Sequence, residues 1–280
     1  MNIPSPFLLY LGHTTDPVGI KTSRGLAEFR RADCLGEFRH DDCPLTLGLP
    51  RMTIPEGAAA GARTLVLGIA NAGGIMDAAL IADASAALEA GLNVASGLHH
   101  RLNAVPELVA LANSKGLALF DVRDPPADLP VGTGRPRAGR RVLTVGTDCS
   151  VGKMYASLAL VDGLRSRGET ADFRATGQTG ILIAGGGVPL DAVVADFISG
   201  AIEYLTPART DDGCWSYARM PKWIAVGEYH TSTTVESSAG RESTGWYWKK
   251  RSARAASCHS CARARPACST AWAVPKGLSW

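Results

Sequence analysis

The chain has 280 residues, with 29 lysines and arginines against 26 carboxylates and a net charge of +3; that is length for two domains and too even a charge for a nucleic-acid surface. No apolar run reaches the length of a bilayer-crossing helix, and the opening M-N-I-P-S-P-F-L-L-Y-L-G is too short and uncharged for a secretory signal. The expectation is a cytoplasmic protein with a small-molecule substrate and no nucleic-acid or membrane partner. Its seven cysteines, odd in number and irregularly spaced, are expected as thiols rather than as a disulfide framework.

In chain order, Phe7 to Leu11 reads as a strand ending at Gly12, and Asp16 is placed to cap a helix beginning at Pro17. Lys21, Thr22 and Arg24 then fall where a strand-to-helix connection can meet an anion. Cys34, His40, Asp41, Asp42 and Cys43 match no common zinc spacing, so no metal is expected. Thr64 to Ile69 is a strand, followed by A-N-A-G-G and an alanine-rich helix from Asp77 to Ala90. Asn93 to Ser96 is the next strand, S-G-L-H-H-R-L a loop, Val105 to Ser114 a helix with Pro106 in its first turn, and Ala118 to Val122 another strand. Alternating strands and helices argue for a doubly wound, Rossmann-like parallel sheet, in which ligands meet the carboxyl ends of the strands. Asn71, Gly73, Gly74, Ser96, Gly97, His99 and His100 all fall at such ends.

Asp124 to Gly139 is rich in proline and glycine and marks a domain boundary. Beyond it, R-V-L-T-V-G-T-D-C-S-V-G-K-M places a short apolar strand before a glycine-framed loop, and Tyr155 to Leu164 continues at helical spacing. Glycines, inward N–H groups, a helix N-terminus and a lysine together make a phosphate cradle: Gly146, Thr147, Asp148, Cys149, Ser150, Val151, Gly152, Lys153 and Met154. Five residues rather than four separate the glycines, and Met154 stands where a hydroxyl usually holds magnesium; a thioether is a poor ligand for that hard cation. Ala171 to Thr176 reads as a strand and Gly177 to Gly180 as the turn at its carboxyl end, with Arg174 and Thr179 in reach of a ligand. Asp191 to Leu205 reads as a helix capped by Asp191.

After Pro207 the composition changes. All six tryptophans lie beyond it, no phenylalanine does, and leucine is absent until Leu278. No period of 3.6 or 2 persists, which is what a shifted reading frame near Thr210 would produce. Cys258, His259, Cys261 and Cys268 include a single C-x-x-C, a weak zinc signal. The expected organisation is a Rossmann-like domain over 1–124, a linker over 125–139, an incomplete P-loop NTPase-like α/β domain over 140–207 and an irregular, disordered tail over 208–280.

The segments V-L-T-V-G-T-D-C-S-V-G-K-M-Y, D-F-R-A-T-G-Q-T-G-I-L-I-A-G-G-G-V and D-A-V-V-A-D-F-I-S-G-A, with G-I-A-N-A-G-G and N-V-A-S-G-L-H upstream, resemble the bacterial and archaeal D-glutamate N-acetyltransferase family. The resemblance spans about residues 1–207. It implies a Rossmann-like domain joined to a P-loop domain similar to dethiobiotin synthetase, and acetyl transfer from acetyl-CoA to the amino group of D-glutamate in D-amino-acid catabolism. Methionine after the lysine is typical of that family, whereas its usual Glu-Gly-Gln-Gly segment is not recognisable after Pro207. Acetyl-CoA carries phosphates that the cradle would hold without hydrolysing anything. His99 is the candidate base, the N–H groups of Gly73 and Gly74 are candidate oxyanion donors beside Asn71, and Lys21 and Arg174 are candidates for the substrate carboxylates. An ATP- and magnesium-dependent ligase or kinase and an inactive ligand-binding protein are the alternatives, and a homo-oligomer stays open.

Overall fold

The computed structural model describes residues 3–137, 140–144, 152–208 and 223–227. The first unit is a parallel sheet of β1 (Phe7–Gly12), β2 (Cys34–Arg39), β3 (Thr64–Leu67), β4 (Asn93–Ser96) and β5 (Leu119–Asp121), in the order β2-β1-β3-β4-β5. That is the flavodoxin-like version of a doubly wound sheet, whose order reverses between β1 and β3. Helices α1 (Lys21–Phe29), α2 (Ile54–Ala59), α3 (Ala78–Glu89) and α4 (Pro106–Lys115) connect the strands.

Every residue of β1 is buried, as a central parallel strand requires. Alternation sends Leu8 and Tyr10 to the core formed with α3 and α4, where Leu65, Leu67, Leu80, Leu88 and Leu108 are nearly inaccessible. Phe7 and Leu9 go to the opposite face, with Leu26 of α1 and Val66. The α3 boundaries follow directly from the chain: Asp77 accepts a hydrogen bond from the Leu80 N–H at 2.8 Å and caps the alanine-rich helix.

The second unit contains β6 (Arg140–Leu143), α5 (Lys153–Arg165), β7 (Ala171–Ala175), α6 (Gln178–Ala184), α7 (Ile198–Leu205) and β8 (Trp223–Gly227). Its parallel sheet has the order β6-β8-β7 among the described residues, with Ile224 opposite both Arg141 and Asp172. The central strand thus comes from W-I-A-V-G, inside the segment expected as an irregular tail. Five apolar residues suffice for a strand but are too few for a period to register. The remaining tail, with Cys258, His259, Cys261 and Cys268, lies outside the described residues. No described helix is long and apolar enough to cross a membrane.

Four local expectations differ from the structure. Asp16 does accept from Val18 N–H, but no helix starts at Pro17, because Gly19 turns its carbonyl to the Ala70 N–H at 2.7 Å and defers α1 to Lys21. Gly177–Gly180 is not a free turn: it opens α6, whose Gly180 lies against Phe173 and Ala175, close enough that a Cβ there would sit 3.2 Å from both. Asp191 caps no long helix either. Val193 is extended, a β-branched residue in its preferred region, and α7 begins at Ile198. Finally, Cys34 to Arg39, where the sequence pattern marks no element, forms the edge strand β2, on which Glu37 is fully buried, and His40, Asp41, Asp42 and Cys43 lie beyond it.

The Glu37 carboxylate accepts from the Leu47 N–H at 2.7 Å and from Arg39 Nε at 3.2 Å, pinning the excursion after β2 to the sheet. Glu37→Ala leaves both donors without their acceptor, so denaturant unfolding is expected to show a loss of about 2–3 kcal/mol.

Candidate functional site

The second unit packs against the first at α1 and at the carboxyl ends of β4 and β5. Thr22, in the first turn of α1, shares a hydroxyl–hydroxyl hydrogen bond of 2.9 Å with Thr179 in the first turn of α6, and both side chains are buried. Arg30, at the other end of α1, donates to Leu182 O at 2.9 Å. Gly25 makes room: a Cβ there would lie 2.8 Å from the Thr179 methyl and 3.8 Å from the Met154 terminal methyl. Phe29 and Tyr155 close the same contact edge to face at 5.4 Å. Thr179 and Met154, picked from separate motifs, therefore border one seam, and Lys21 precedes Thr22 in the chain.

On the P-loop side, Gly152 adopts φ +91° immediately before α5, and Lys153 opens that 13-residue helix with only 5% of its surface exposed. Thr144, just past β6, reaches the Ser157 hydroxyl at 2.6 Å, which ties the strand end to the second turn of the helix. A lysine so placed at a helix N-terminus suits a phosphate oxygen, adding full charge to the dipole. Met154 is 6% exposed, and its terminal methyl lies at the seam beside Gly25. Gly146, Thr147, Asp148, Cys149, Ser150 and Val151 lie outside the described residues.

His99 follows β4 and is solvent-exposed, resting on the turn after β3. Gly74 there has φ +59°, and a Cβ would lie 2.7 Å from the His99 nitrogen, so the position needs glycine on both counts. The Gly74 N–H donates to Asn71 O at 3.1 Å, which commits one of the two expected oxyanion donors to the turn itself; Gly73 is exposed with φ +74°. Asn71 closes the turn by donating from Nδ2 to Ile75 O at 2.7 Å. The Arg123 charge, and secondarily burial, hold the His99 imidazole below its ordinary 6.5, so it is neutral at neutral pH and able to take a proton.

Arg123 was not singled out from the sequence, nor was its partner's role. It lies two residues past β5, donates from Nε to Gly97 O at 2.6 Å and pairs through Nη1 with Asp191 of the second unit. A Cβ on Gly97 would in turn meet the Gln178 side chain at 2.8 Å. The rule that ligands gather at carboxyl ends of strands points to Arg123 as readily as to His99. Arg174, by contrast, turns to Asp172 on its own strand at 3.3 Å, so its carboxylate partner here is internal. Cys34, His40, Asp42 and Cys43 each satisfy a separate protein group, and no group of metal-ligating side chains is found among the described residues.

Two parallel α/β units with a glycine–lysine helix start at their junction define a two-domain P-loop protein. Residues 38–125 match the Rossmann-like N-terminal domain described as a domain of unknown function, DUF1611_N, and residues 130–215 match its P-loop partner, DUF1611_C. A crystal structure of a DUF1611 family protein from Anabaena variabilis superposes with a TM-score of 0.70 at 31% identity, covering 81% of this chain and 67% of that one. The chain belongs to the DUF1611 family. It is 49% identical over 210 residues to a D-glutamate N-acetyltransferase from Tritonibacter scottomollicae and 47% identical over 207 residues to one from a Pseudoalteromonas species. These matches cover 75% and 74% of this chain and 63% and 62% of the relatives, so the chain spans less than two thirds of their length.

The seam is testable through the buried Thr22–Thr179 hydroxyl pair. Thr22→Val and Thr179→Val are each expected to cost about 1 kcal/mol in thermal or denaturant unfolding, and the double variant less than their sum, because each single change strands the other hydroxyl.

Proposed function

We propose that this chain is an N-acetyltransferase that moves the acetyl group of acetyl-CoA to the amino group of D-glutamate, as a step in the breakdown of D-amino acids. The observation that carries the reading is the 49% and 47% identity to two D-glutamate N-acetyltransferases over 210 and 207 residues.

The chemistry suits the residues present. Lys153 at the start of α5 holds CoA phosphates by charge and helix dipole. Met154 offers no oxygen to magnesium, which disfavours an ATP-dependent ligase or kinase. His99, neutral at neutral pH, takes the proton from the substrate ammonium. The freed amine attacks the thioester carbonyl, the C–N bond forms and the C–S bond breaks, and the leaving thiolate takes up the proton that the nitrogen sheds as the amide forms. The Gly73 N–H remains the candidate donor to the oxyanion, and Lys21 the candidate for a substrate carboxylate.

Calorimetric titration of the whole chain with acetyl-CoA tests the cradle. Saturable binding is expected, weakened at least about ten-fold by Lys153→Ala, as loss of a charge-assisted phosphate contact requires; absence of binding overturns the reading for this chain. Turnover, followed as thiol release dependent on D-glutamate, tests the base. Activity is expected to fall as pH drops through a His99 pKa below 6.5. Arg123→Gln removes the main depressing charge and moves that acid limb to higher pH, whereas a merely structural role would lower the rate without shifting the limb.

A further inference from the structure

The sheet order reverses between β1 and β3, and at that point the structure has a crevice of about 380 Å³, of whose lining the acetyl-transfer roles claim only Asn71. Its wall is formed by the loop after β1, the loop after β3 and the first turn of α3. The volume suits a small molecule, and the place is where doubly wound sheets bind their ligands.

Its chemistry selects the kind of ligand. Tyr10 lines it and is 2% exposed. Gly12, at φ +56°, lets the Tyr10 ring fold over the strand end, since a Cβ there would lie 2.5 Å from that ring. The phenol donates to Asp83 Oδ2 at 2.7 Å, and the same carboxylate oxygen is met by His40 Nε2 at 2.8 Å. Burial, then the Asp83 bond, push the phenol far above its usual range, so the proton stays committed to Asp83 and Oη can only accept from the crevice. Asn71 gives one Nδ2 hydrogen to Ile75 O and has Oδ1 as its acceptor. Asp16 and Asp77 each give one oxygen to a backbone N–H, of Val18 and Leu80, and keep a second. His13 holds Asp42 through Nδ1 at 2.8 Å and stacks on His40 at 3.8 Å, so its Nε2 is the nitrogen left for a ligand. No lysine or arginine is among the described residues lining the crevice.

A hollow whose charged side chains are the Asp16 and Asp77 carboxylates, beside the Thr14 and Thr15 hydroxyls and one imidazole, with no lysine or arginine among its described lining residues, is matched by a donor-rich cation and mismatched by an anion. We propose that the crevice between β1 and β3 is a binding site for a small ligand bearing a primary ammonium group, held by Tyr10 Oη, Asn71 Oδ1 and the carboxylates of Asp16 and Asp77. The ammonium replaces its water shell with these acceptors, and the Asp16 and Asp77 charges balance it. The site stands independently of the CoA cradle, so either can fail without the other.

Titration of the whole chain with putrescine, with succinate as the charge-inverted probe of the same carbon length, tests the assignment. Putrescine is expected to bind saturably at one site and succinate not to bind. Asp16→Asn keeps the acceptor for the Val18 N–H while removing the charge, and is expected to weaken putrescine by about ten-fold with an unchanged melting midpoint. Tyr10→Phe removes an acceptor on the floor and is expected to weaken it as well. Absence of saturable putrescine binding, equal binding of succinate, or an Asp16→Asn affinity equal to that of the unaltered chain would each overturn the proposal.

Discussion

The structure depends on an apolar surface that the first sheet does not cover with its own helices alone. Phe7, Leu9, Val66 and Ala95 line that face, and with Leu26 of α1 they pack against Ala175, Ile181 and Leu182 of the second unit. A parallel sheet must be buried on both sides, so the second unit supplies the missing layer. Because α6 docks by its first turn as well as by its apolar face, the carboxyl ends of β4 and β7 are brought to the same place. The Thr22–Thr179 bond, the Arg123–Asp191 pair and the fit of Gln178 against Gly97 are consequences of that docking.

Much of this was legible in the chain, for physical reasons that can be named. The strand at 93–96 is bounded by glycine and asparagine, and the helix after Asp77 has a side-chain cap and an alanine-rich run; both appear where the pattern places them. What failed to register was structure made by partners distant in sequence. β2 has a buried charge, Glu37, whose reason is the backbone of residue 47 and the guanidinium of residue 39. β8 is five residues long, and its identity as a strand comes from the two neighbours that it pairs with. The break between Asp191 and Ile198 follows from a valine in extended geometry and from an arginine 68 positions earlier in the chain, at 123 against 191.

The site was legible to a similar degree. The glycine–lysine signal and the rule of strand carboxyl ends located both sides of the seam, because each reflects local backbone geometry. Charge partners were not legible. Nothing at spacing level reveals that Arg123 sits by His99, that Asp191 answers Arg123 across the seam, or that Arg174 is engaged by Asp172 on its own strand. Met154 is instructive: read locally it is a defect in a magnesium site, and read in three dimensions it is packing between three helices.

The position of β8 bears on how the chain reaches this state. All five strands of the first sheet are contained in the first 121 residues, and each pairs with a neighbour close in sequence order, so that sheet can form while the rest of the chain is still being made. The second sheet cannot close in the same way. β6 starts at Arg140 and β7 at Ala171, yet the strand that joins them starts at Trp223. Until it arrives, β6 and β7 have no strand between them, and the loop entropy of a long-range parallel insertion must be met in one late step. The first sheet, with α6 able to dock against it, becomes the template for the described part of the P-loop unit, and the insertion of β8 is the slow, vulnerable step among its described strands.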